Sequence, residues 1–125
     1  MKLLVVEDDF DVITSIEKLL INLKIDHQTA TRPEEAVILL KKDSSFTLFL
    51  TDFDLKGTLT GLELISIAED QIPGIKCCLM SGDFKEENVP LGLPFLKKPF
   101  TISELFNFLE PFITERSISQ TAKQV

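Results

Sequence analysis

The sequence predicts a doubly wound α/β domain in which five parallel strands form one sheet with helices on both faces. Short apolar runs alternate along the chain with segments whose apolar residues recur at three- and four-residue steps. The first pattern is typical of buried strands and the second of amphipathic helices. Because parallel strands need crossover connections, this alternation favours a parallel sheet covered on both sides.

The first strand and helix are marked by a change of apolar pattern after residue 6. Leu3-Leu4-Val5-Val6 is a continuous apolar run, as expected for a central strand that is buried on both faces. Asp9 suits the position that caps the N-terminus of the following helix. The apolar stripe of that helix consists of Ile13, Ile16, Leu20 and Leu23.

The next three elements continue the alternation. Residues 25–30 and 46–51 form the second and third predicted strands. Between them, Thr31-Arg32-Pro33-Glu34 matches a capping box with proline in the first turn, which predicts the start of the second helix. The apolar stripe of this helix consists of Ala36, Val37 and Leu40.

The third helix is predicted at residues 61–70 and the fourth strand at residues 75–80, with Pro73-Gly74 between them. Residues 83–94 contain two prolines and a glycine, which leave room for only about one or two helical turns. A fifth strand follows at residues 95–97. The fourth helix is therefore predicted to be shortened.

The last predicted helix begins at a second capping box, Thr101-Ile102-Ser103-Glu104. Pro111 is predicted to kink this helix or to end it early. We therefore expect one domain at residues 1–113 and a polar tail or linker at residues 114–125. The apolar stripe of the helix consists of Ile102, Leu105, Leu109 and Phe112.

Length and composition exclude several classes of protein. The 125 residues, 44% of them hydrophobic, suit one domain with a single core. A net charge of −7 argues against a nucleic-acid surface, which needs clustered basic residues. No apolar run approaches the ~20 residues of a membrane span, and a signal-peptide pattern is missing, so a cytoplasmic location is expected. The adjacent Cys77 and Cys78 are interpreted as reduced packing residues on opposite faces of a strand.

Polar side chains follow four of the predicted strands at the point where each strand ends. They are Glu7 and Asp8 after the first strand, Asp52 after the third, Ser81 after the fourth and Lys98 after the fifth. Ligands of open parallel sheets bind at the carboxyl ends of the strands. The sequence therefore predicts that these residues meet at one site.

The residue types at this site suit phosphoryl transfer to an aspartate. A carboxylate can attack phosphorus, provided that cations offset the repulsion between the two anions. Mg²⁺ prefers hard oxygen ligands, which Asp8, Asp52 and the backbone carbonyl of Asp54 would supply, with Glu7 acting through a water molecule. Lys98 would pair with the acceptor and later with a phosphoryl oxygen, and the Ser81 hydroxyl would bind another oxygen.

In these motifs the chain resembles the receiver domain of two-component response regulators over residues 2 to about 113. Val5-Val6-Glu7-Asp8-Asp9 resembles the acidic pocket of that family, and Leu50-Thr51-Asp52 resembles its phosphoacceptor. Leu79-Met80-Ser81-Gly82 and Lys98-Pro99-Phe100 resemble its hydroxyl switch position and its lysine motif. Four separated motifs in the family's order make this resemblance specific.

The resemblance implies a flavodoxin-like fold and a signalling role in place of enzymatic turnover. Asp52 would receive a phosphoryl group from a histidine kinase or a histidine phosphotransfer protein, with Mg²⁺ as cofactor. Ser81 and Phe95 would then switch a face that binds an output partner. The shortened fourth helix departs from the family's pattern, and Phe95 stands where many receivers have a tyrosine, so it offers no hydroxyl for a hydrogen bond.

Three other interpretations are open at this point. Seen singly, the acidic residues are ordinary caps and turn formers and Lys98 is a solvated charge; their joint order favours the functional interpretation. Thr51-Asp52-Phe53-Asp54 followed by Gly57-Thr58 is similar to the nucleophile motif of haloacid-dehalogenase-like phosphatases, although Leu55-Lys56 intervenes. The shortened fourth segment is compatible with a receiver-like interaction module that needs no phosphate.

Overall fold

A computed structural model describes residues 1–82, 89–90 and 92–124, with side chains described up to residue 113. In this part of the chain five strands pair in parallel in the order β2-β1-β3-β4-β5, with four helices between or after them. The predicted doubly wound sheet is confirmed. In chain order the elements are β1 Lys2–Val6, α1 Phe10–Asn22, β2 Asp26–Ala30, α2 Pro33–Lys42, β3 Leu48–Asp52, α3 Gly61–Gln71, β4 Lys76–Ser81, β5 Phe95–Lys97 and α4 Ile102–Gln124.

The sheet separates two hydrophobic clusters. On one face Leu4 and Val6 pack with α2 and α3, and on the other Leu3 and Val5 pack with α1 and α4. This arrangement explains the uninterrupted apolar run of β1, because both faces of that strand are covered.

The adjacent cysteines belong to opposite clusters. Cys77 packs beside the cluster of α2 and α3, whereas Cys78 is fully buried in the other. Both thiols are free, and burial raises the pKa of Cys77 to about 12 and that of Cys78 further above the ordinary range. Neither thiol is therefore activated as a nucleophile at neutral pH.

The register of the sheet brings the carboxyl ends of four strands to the same edge. Val6 of β1 lies beside Thr51 of β3, and Asp52 lies beside Met80 of β4. Ser81, which ends β4, lies beside Lys97 of β5. The chain runs from β1 outward to β2 and then crosses back to β3, so the strand order reverses between β1 and β3. That position is where ligand sites form in open parallel sheets.

The helix starts agree with the sequence at two positions and differ at one. Asp9 caps α1 by accepting from the N–H groups of Asp11 and Val12, and Thr101 and Glu104 form the predicted reciprocal cap of α4. The predicted capping box of α2 is wrong, because Arg32 and not Thr31 is the N-cap, whereas the helix begins at Pro33 with proline in its first turn as predicted. Proline disfavours helical dihedrals in the residue before it, and Arg32 is extended at φ −136° and ψ 148°.

The last helix continues through Pro111 to Gln124, so the predicted early end is wrong. Proline removes the hydrogen bond to the carbonyl four residues earlier, which belongs to Asn107. Both residues are exposed, so water can satisfy that carbonyl. No helix in the described ranges is long and apolar enough to cross a bilayer.

The short helix predicted between β4 and β5 falls in a connection of which residues 83–88 and 91 lie outside the described residues. Its described part is a turn in which the Leu93 N–H donates to the Pro90 carbonyl at 3.1 Å. No helix is present at residues 89–90 or 92–94. The architecture is therefore consistent with the prediction of a shortened helix between β4 and β5.

Candidate functional site

The acidic residues that follow β1 are held by local backbone contacts. The Glu7 N–H donates to the Ala30 carbonyl at 3.0 Å, which extends the pairing with β2 by one residue beyond β1. The Asp9 N–H donates to Glu7 Oε1 at 3.0 Å. Glu7 is fully buried, Asp8 is half-buried and Asp9 is exposed. Sequence position alone does not reveal this gradient across three adjacent carboxylates.

Asp52 ends β3 and is buried, with only 4% of its surface exposed. Its backbone is enclosed by the start of α3. A Cβ atom at Gly61 would lie 2.3 Å from the Asp52 carbonyl oxygen, so glycine is required at that position. The Thr51 hydroxyl donates to the same carbonyl at 3.0 Å. Asp52 is therefore held from two sides at its main chain.

The sequence predicted Gly61 as the start of the third helix but did not identify its role beside Asp52. The signal that marks it is the capping box Thr60-x-x-Glu63, which starts α3 with reciprocal hydrogen bonds of 3.0 and 3.2 Å. A glycine directly inside such a helix start is unusual on propensity alone, because glycine is a poor helix former. The close approach of α3 to β3 explains its presence.

Lys98 brings a positive charge to the two buried carboxylates. Its Nζ atom lies 2.7 Å from Glu7 Oε2 and 3.4 Å from Asp52 Oδ1. The Lys98 N–H donates to the Ser81 carbonyl at 2.9 Å, and the Lys98-Pro99 peptide bond is cis. The preceding Lys97 is exposed, as expected for a residue on the opposite side of the strand.

Three of the predicted residues could hold a metal ion together. Glu7, Asp8 and Asp52 each offer one carboxylate oxygen, and these oxygens lie within 4.8 Å of one another. Within the described residues this is the one such group of acidic, histidine or cysteine side chains. Asp54 is exposed in the bend after β3 and contributes no side-chain oxygen to the group. A role for its backbone carbonyl stays a prediction.

Glu7 pairs with Lys98, a contact that was not predicted from the sequence. Its Oε2 atom has an ion-pair contact with Lys98 but no hydrogen-bond partner with directed geometry among the described residues. The sequence assigned Glu7 to a water-mediated metal contact. The structure adds a second role, because Glu7 holds the lysine that also faces Asp52.

Burial and charge set the protonation of the three groups. Burial, reinforced by the negative charges of Glu7 and Asp8, raises the pKa of Asp52 to about 7 although Lys98 opposes the shift. Burial also raises the pKa of Glu7, against the lowering effect of Lys98. Burial lowers the pKa of Lys98, but the two carboxylates raise it by more, so the ammonium form is favoured. The site therefore combines a retained cation with carboxylates that are costly to ionise together.

The two predicted switch residues lie on neighbouring strands. Ser81 is the last residue of β4 and is almost fully buried. Phe95 is the first residue of β5, lies beside Leu79 in the register, and packs half-buried beside the cluster of α2 and α3. Ser81 thus lies at the carboxyl end of β4, beside the site. Phe95 lies two residues before Lys97, at the start of the edge strand β5. Movement of either side chain stays a prediction.

Comparison with known proteins agrees with the fold. A receiver protein from Sinorhizobium medicae WSM419 is 20% identical with a TM-score of 0.80, covering 93% of this chain and 96% of that chain. A CheY-like receiver protein from Methanospirillum hungatei JF-1 is 23% identical with a TM-score of 0.81, covering 94% and 97%. For the chemotaxis regulator CheY4 of Vibrio cholerae the values are 20%, 0.78, 88% and 96%. These similarities confirm the predicted flavodoxin-like receiver fold.

The family is established by the sequence. No curated protein matches the chain significantly. The family profile described as Response regulator receiver domain, however, matches residues 3–110, which is most of the chain and includes all four strand ends of the site. The chain therefore belongs to the response regulator receiver domain family.

Proposed function

We propose that Asp52 accepts a phosphoryl group from a histidine kinase or a histidine phosphotransfer protein, in a reaction that depends on Mg²⁺. One observation carries this proposal. The Asp52 carboxylate lies within 4.8 Å of oxygens from Glu7 and Asp8 and only 3.4 Å from the Lys98 ammonium. A nucleophile, two further carboxylates and a cation thus occupy one strand-end pocket, as transfer of a phosphoryl group to an aspartate requires.

The chemistry assigned to Asp52 is nucleophilic substitution at phosphorus. A bond forms between an Asp52 carboxylate oxygen and phosphorus, and the bond from phosphorus to the donor's imidazole nitrogen breaks, leaving its electron pair on nitrogen. Lys98 neutralises part of the charge that builds up as the two anions approach. A cleft of about 440 Å³, lined in part by Asp11, Ser15 and Phe100, adjoins Lys98.

The residues present fit a magnesium ion. Asp8 and Asp52 would be its carboxylate ligands, Asp54 would add its backbone carbonyl, and Glu7 would act through a water molecule because Lys98 already occupies one of its oxygens. When bound, the ion would supply charge neutralisation for the carboxylates and for the incoming phosphoryl oxygens. Its ligands are hard oxygens throughout, which suits Mg²⁺.

Phosphorylation would be reported through Ser81 and Phe95. The Ser81 hydroxyl would move toward a phosphoryl oxygen, and Phe95 would swing inward, which would alter the face formed by β5 and the start of α4. A partner of unassigned identity would bind that face. We place this exchange in the cytoplasm, where a phosphodonor of the proposed class would meet the domain.

Incubation with a small phosphodonor and Mg²⁺ should add one phosphoryl group to the protein, detected as a shift in intact mass. Asp52→Asn should abolish the adduct, because the amide is not a nucleophile toward phosphorus. Asp54→Asn should keep it, since the Asp54 carboxylate is exposed and has no part in the proposed transfer. An undiminished adduct on Asp52→Asn would contradict the proposal.

The same variants separate the two alternative functions. A haloacid-dehalogenase-like phosphatase would turn over a phosphate ester steadily and would lose that activity in both Asp52→Asn and Asp54→Asn. A phosphate-independent interaction module would form no adduct on the native chain. A receiver shows one adduct, no sustained ester hydrolysis, and a dependence on Asp52 alone of these two aspartates.

Mg²⁺ should raise the melting temperature of the native chain. At one hundred times its Kd, a ligand that binds only the folded state adds about 2.7 kcal/mol, which is on the order of 10 °C for a domain of this size. Asp8→Ala should lose most of the shift and Asp11→Ala, an exposed carboxylate on the first turn of α1, should keep it. Equal shifts for both variants, measured by calorimetry, would rule out Asp8 as a ligand.

A further inference from the structure

The loop that follows Asp52 is hydrogen-bonded to α2, a helix that contributes no residue to the candidate site. This loop, residues 53–60, connects β3 to α3. Near its far end, Thr58 donates from its backbone N–H and from its hydroxyl to one atom, Glu34 Oε1, at 3.2 and 3.0 Å. Glu34 lies in the first turn of α2. The two residues are 24 positions apart in the chain, so the contact is tertiary.

Close packing accompanies these hydrogen bonds. Gly57 has a φ of +151°, and a Cβ atom there would lie 2.8 Å from Pro33 Cγ and 3.0 Å from Glu34 Oε1. Only glycine allows the loop to approach α2 this closely. The loop is therefore seated on the first turn of α2 by one glycine and two hydrogen bonds.

The base of the loop is fixed independently of Glu34. The Phe53 N–H donates to the Met80 carbonyl at 2.9 Å, and the Gly61 N–H donates to the Phe53 carbonyl at 3.0 Å. Leu55 and Leu59 pack beside the cluster of α2 and α3. Asp54, whose carbonyl is the proposed metal ligand, lies between Phe53 and Leu55, and Glu34 holds the same loop four residues further along at Thr58. The contact with Glu34 is thus a second constraint on the loop that carries this carbonyl.

We propose that Glu34 is a positioning residue, which holds the 53–60 loop on α2 and thereby sets the Asp54 carbonyl for the metal ion. This inference rests on the proposed function, because it presupposes a metal at Asp8 and Asp52. Glu34 touches none of the reacting groups and acts through Thr58 and the loop. Its substitution should weaken metal binding without removing a ligand.

The alternative is that Glu34 stabilises only its own helix. An acidic residue in the first turn stabilises a helix through the helix dipole, without any partner on a loop. Glu35 is equally placed for that role and accepts instead from the Thr31 N–H at 3.3 Å. The backbone N–H of Glu34 and the two Thr58 donors lower the pKa of Glu34, so its side chain is an ionised acceptor at neutral pH. Glu35→Gln is therefore a matched control with the same change of charge.

The test is calorimetric titration of the purified chain with Mg²⁺ alone, together with hydrogen exchange of the Thr58 amide in metal-free protein followed by NMR. Glu34→Ala should weaken Mg²⁺ binding roughly threefold to tenfold, below the effect of losing a direct partner of a ligand. It should also speed exchange at Thr58 by a similar factor, since the N–H loses its acceptor. Gly57→Ala, which displaces the loop from Pro33, should change both values in the same direction.

Glu34→Gln retains an oxygen acceptor and should restore most of both values, and Glu35→Gln should match the native chain. Native Mg²⁺ affinity in Glu34→Ala, or an equal loss in Glu35→Gln, would overturn the positioning role while leaving the proposed function intact. Failure of the native chain to bind Mg²⁺ would instead overturn the proposed function and the inference with it.

Discussion

Metal-free protein should become less stable as the pH rises from about 4 to 7, and Asp52→Asn should remove most of this loss. The pKa of Asp52 is about 7 in the folded chain, against 3.8 for the unperturbed group. Between these values the folded state binds a proton that the unfolded state has released. The stability that this proton confers is complete below pH 4 and is lost as the pH rises through 7.

The size of the effect follows from the shift. One pKa unit corresponds to about 1.4 kcal/mol, so Asp52 alone would contribute at most about 4 kcal/mol. We expect about 2 to 4 kcal/mol, because Glu7 and Lys98 adjust their own protonation when Asp52 ionises. Asp52→Asn should therefore be more stable than the native chain at pH 8, and the difference should shrink toward zero as the pH approaches 4.

Chemical denaturation at several pH values between 4.5 and 8.5 measures this difference. Asp43 loses its stabilising contribution only at pH values below this range, because its pKa is lowered mainly by the hydrogen bond from Lys2 and further by those from Ser45. Saturating Mg²⁺ should recover stability in the native chain at pH 8 and do much less for Asp52→Asn. If the stability of the native chain were independent of pH across this range, or parallel to that of Asp52→Asn, ionisation of Asp52 would be excluded as a cause of lost stability.

Much of the fold and the composition of the site could be predicted because both depend on short-range patterns. Four of the five strands are short apolar runs bounded by polar residues or turn formers, and parallel strands place their ends at one edge whatever the details of packing. Glu7, Asp52 and Lys98 were identified by their positions at those ends, and the ion-pair distances show that they do meet. The roles assigned to them stay predictions.

Features that depend on three-dimensional distance could not be predicted in this way. The preference of Lys98 for Glu7 over Asp52 depends on a fraction of an ångström between strand ends. The contact between Glu34 and Thr58 joins two polar residues that are exposed and far apart in sequence, so no periodicity marks it. The start of α2 is different, because the rule for residues before proline already favoured Arg32 as the cap over Thr31.

Lys98→Met should destabilise the metal-free domain by about 3 kcal/mol at pH 8, whereas Lys97→Met should change stability by less than about 0.5 kcal/mol. Methionine keeps much of the length and apolar surface of the lysine stem while removing the charge. Without Lys98, Glu7 and Asp52 remain buried with no other ion-pair partner among the described residues, and loss of one partner from a buried ion pair is strongly destabilising. Lys97 is exposed and loses only a solvated charge.

The destabilisation should shrink as the pH falls toward 5. Both carboxylates already have raised pKa values, and loss of Lys98 raises them further, so they take up protons in preference to remaining as unpaired anions. Denaturation of the two lysine variants at pH 8 and pH 5 tests this. An equal loss for Lys97→Met and Lys98→Met, or a loss for Lys98→Met that is independent of pH, would exclude the charge pairing as its cause.

Double-mutant cycles can then divide the effect between the two partners. Lys98 lies 2.7 Å from Glu7 and 3.4 Å from Asp52, so the coupling energy of Lys98→Met with Glu7→Gln should exceed that with Asp52→Asn in metal-free protein. The result bears on function. In the proposed mechanism, a lysine held mainly by Glu7 would stay beside Asp52 without neutralising it fully, which would leave the Asp52 carboxylate free to bind Mg²⁺ and then to attack phosphorus. If Asp52 showed the larger coupling, the acceptor would have to leave its main partner before it could react.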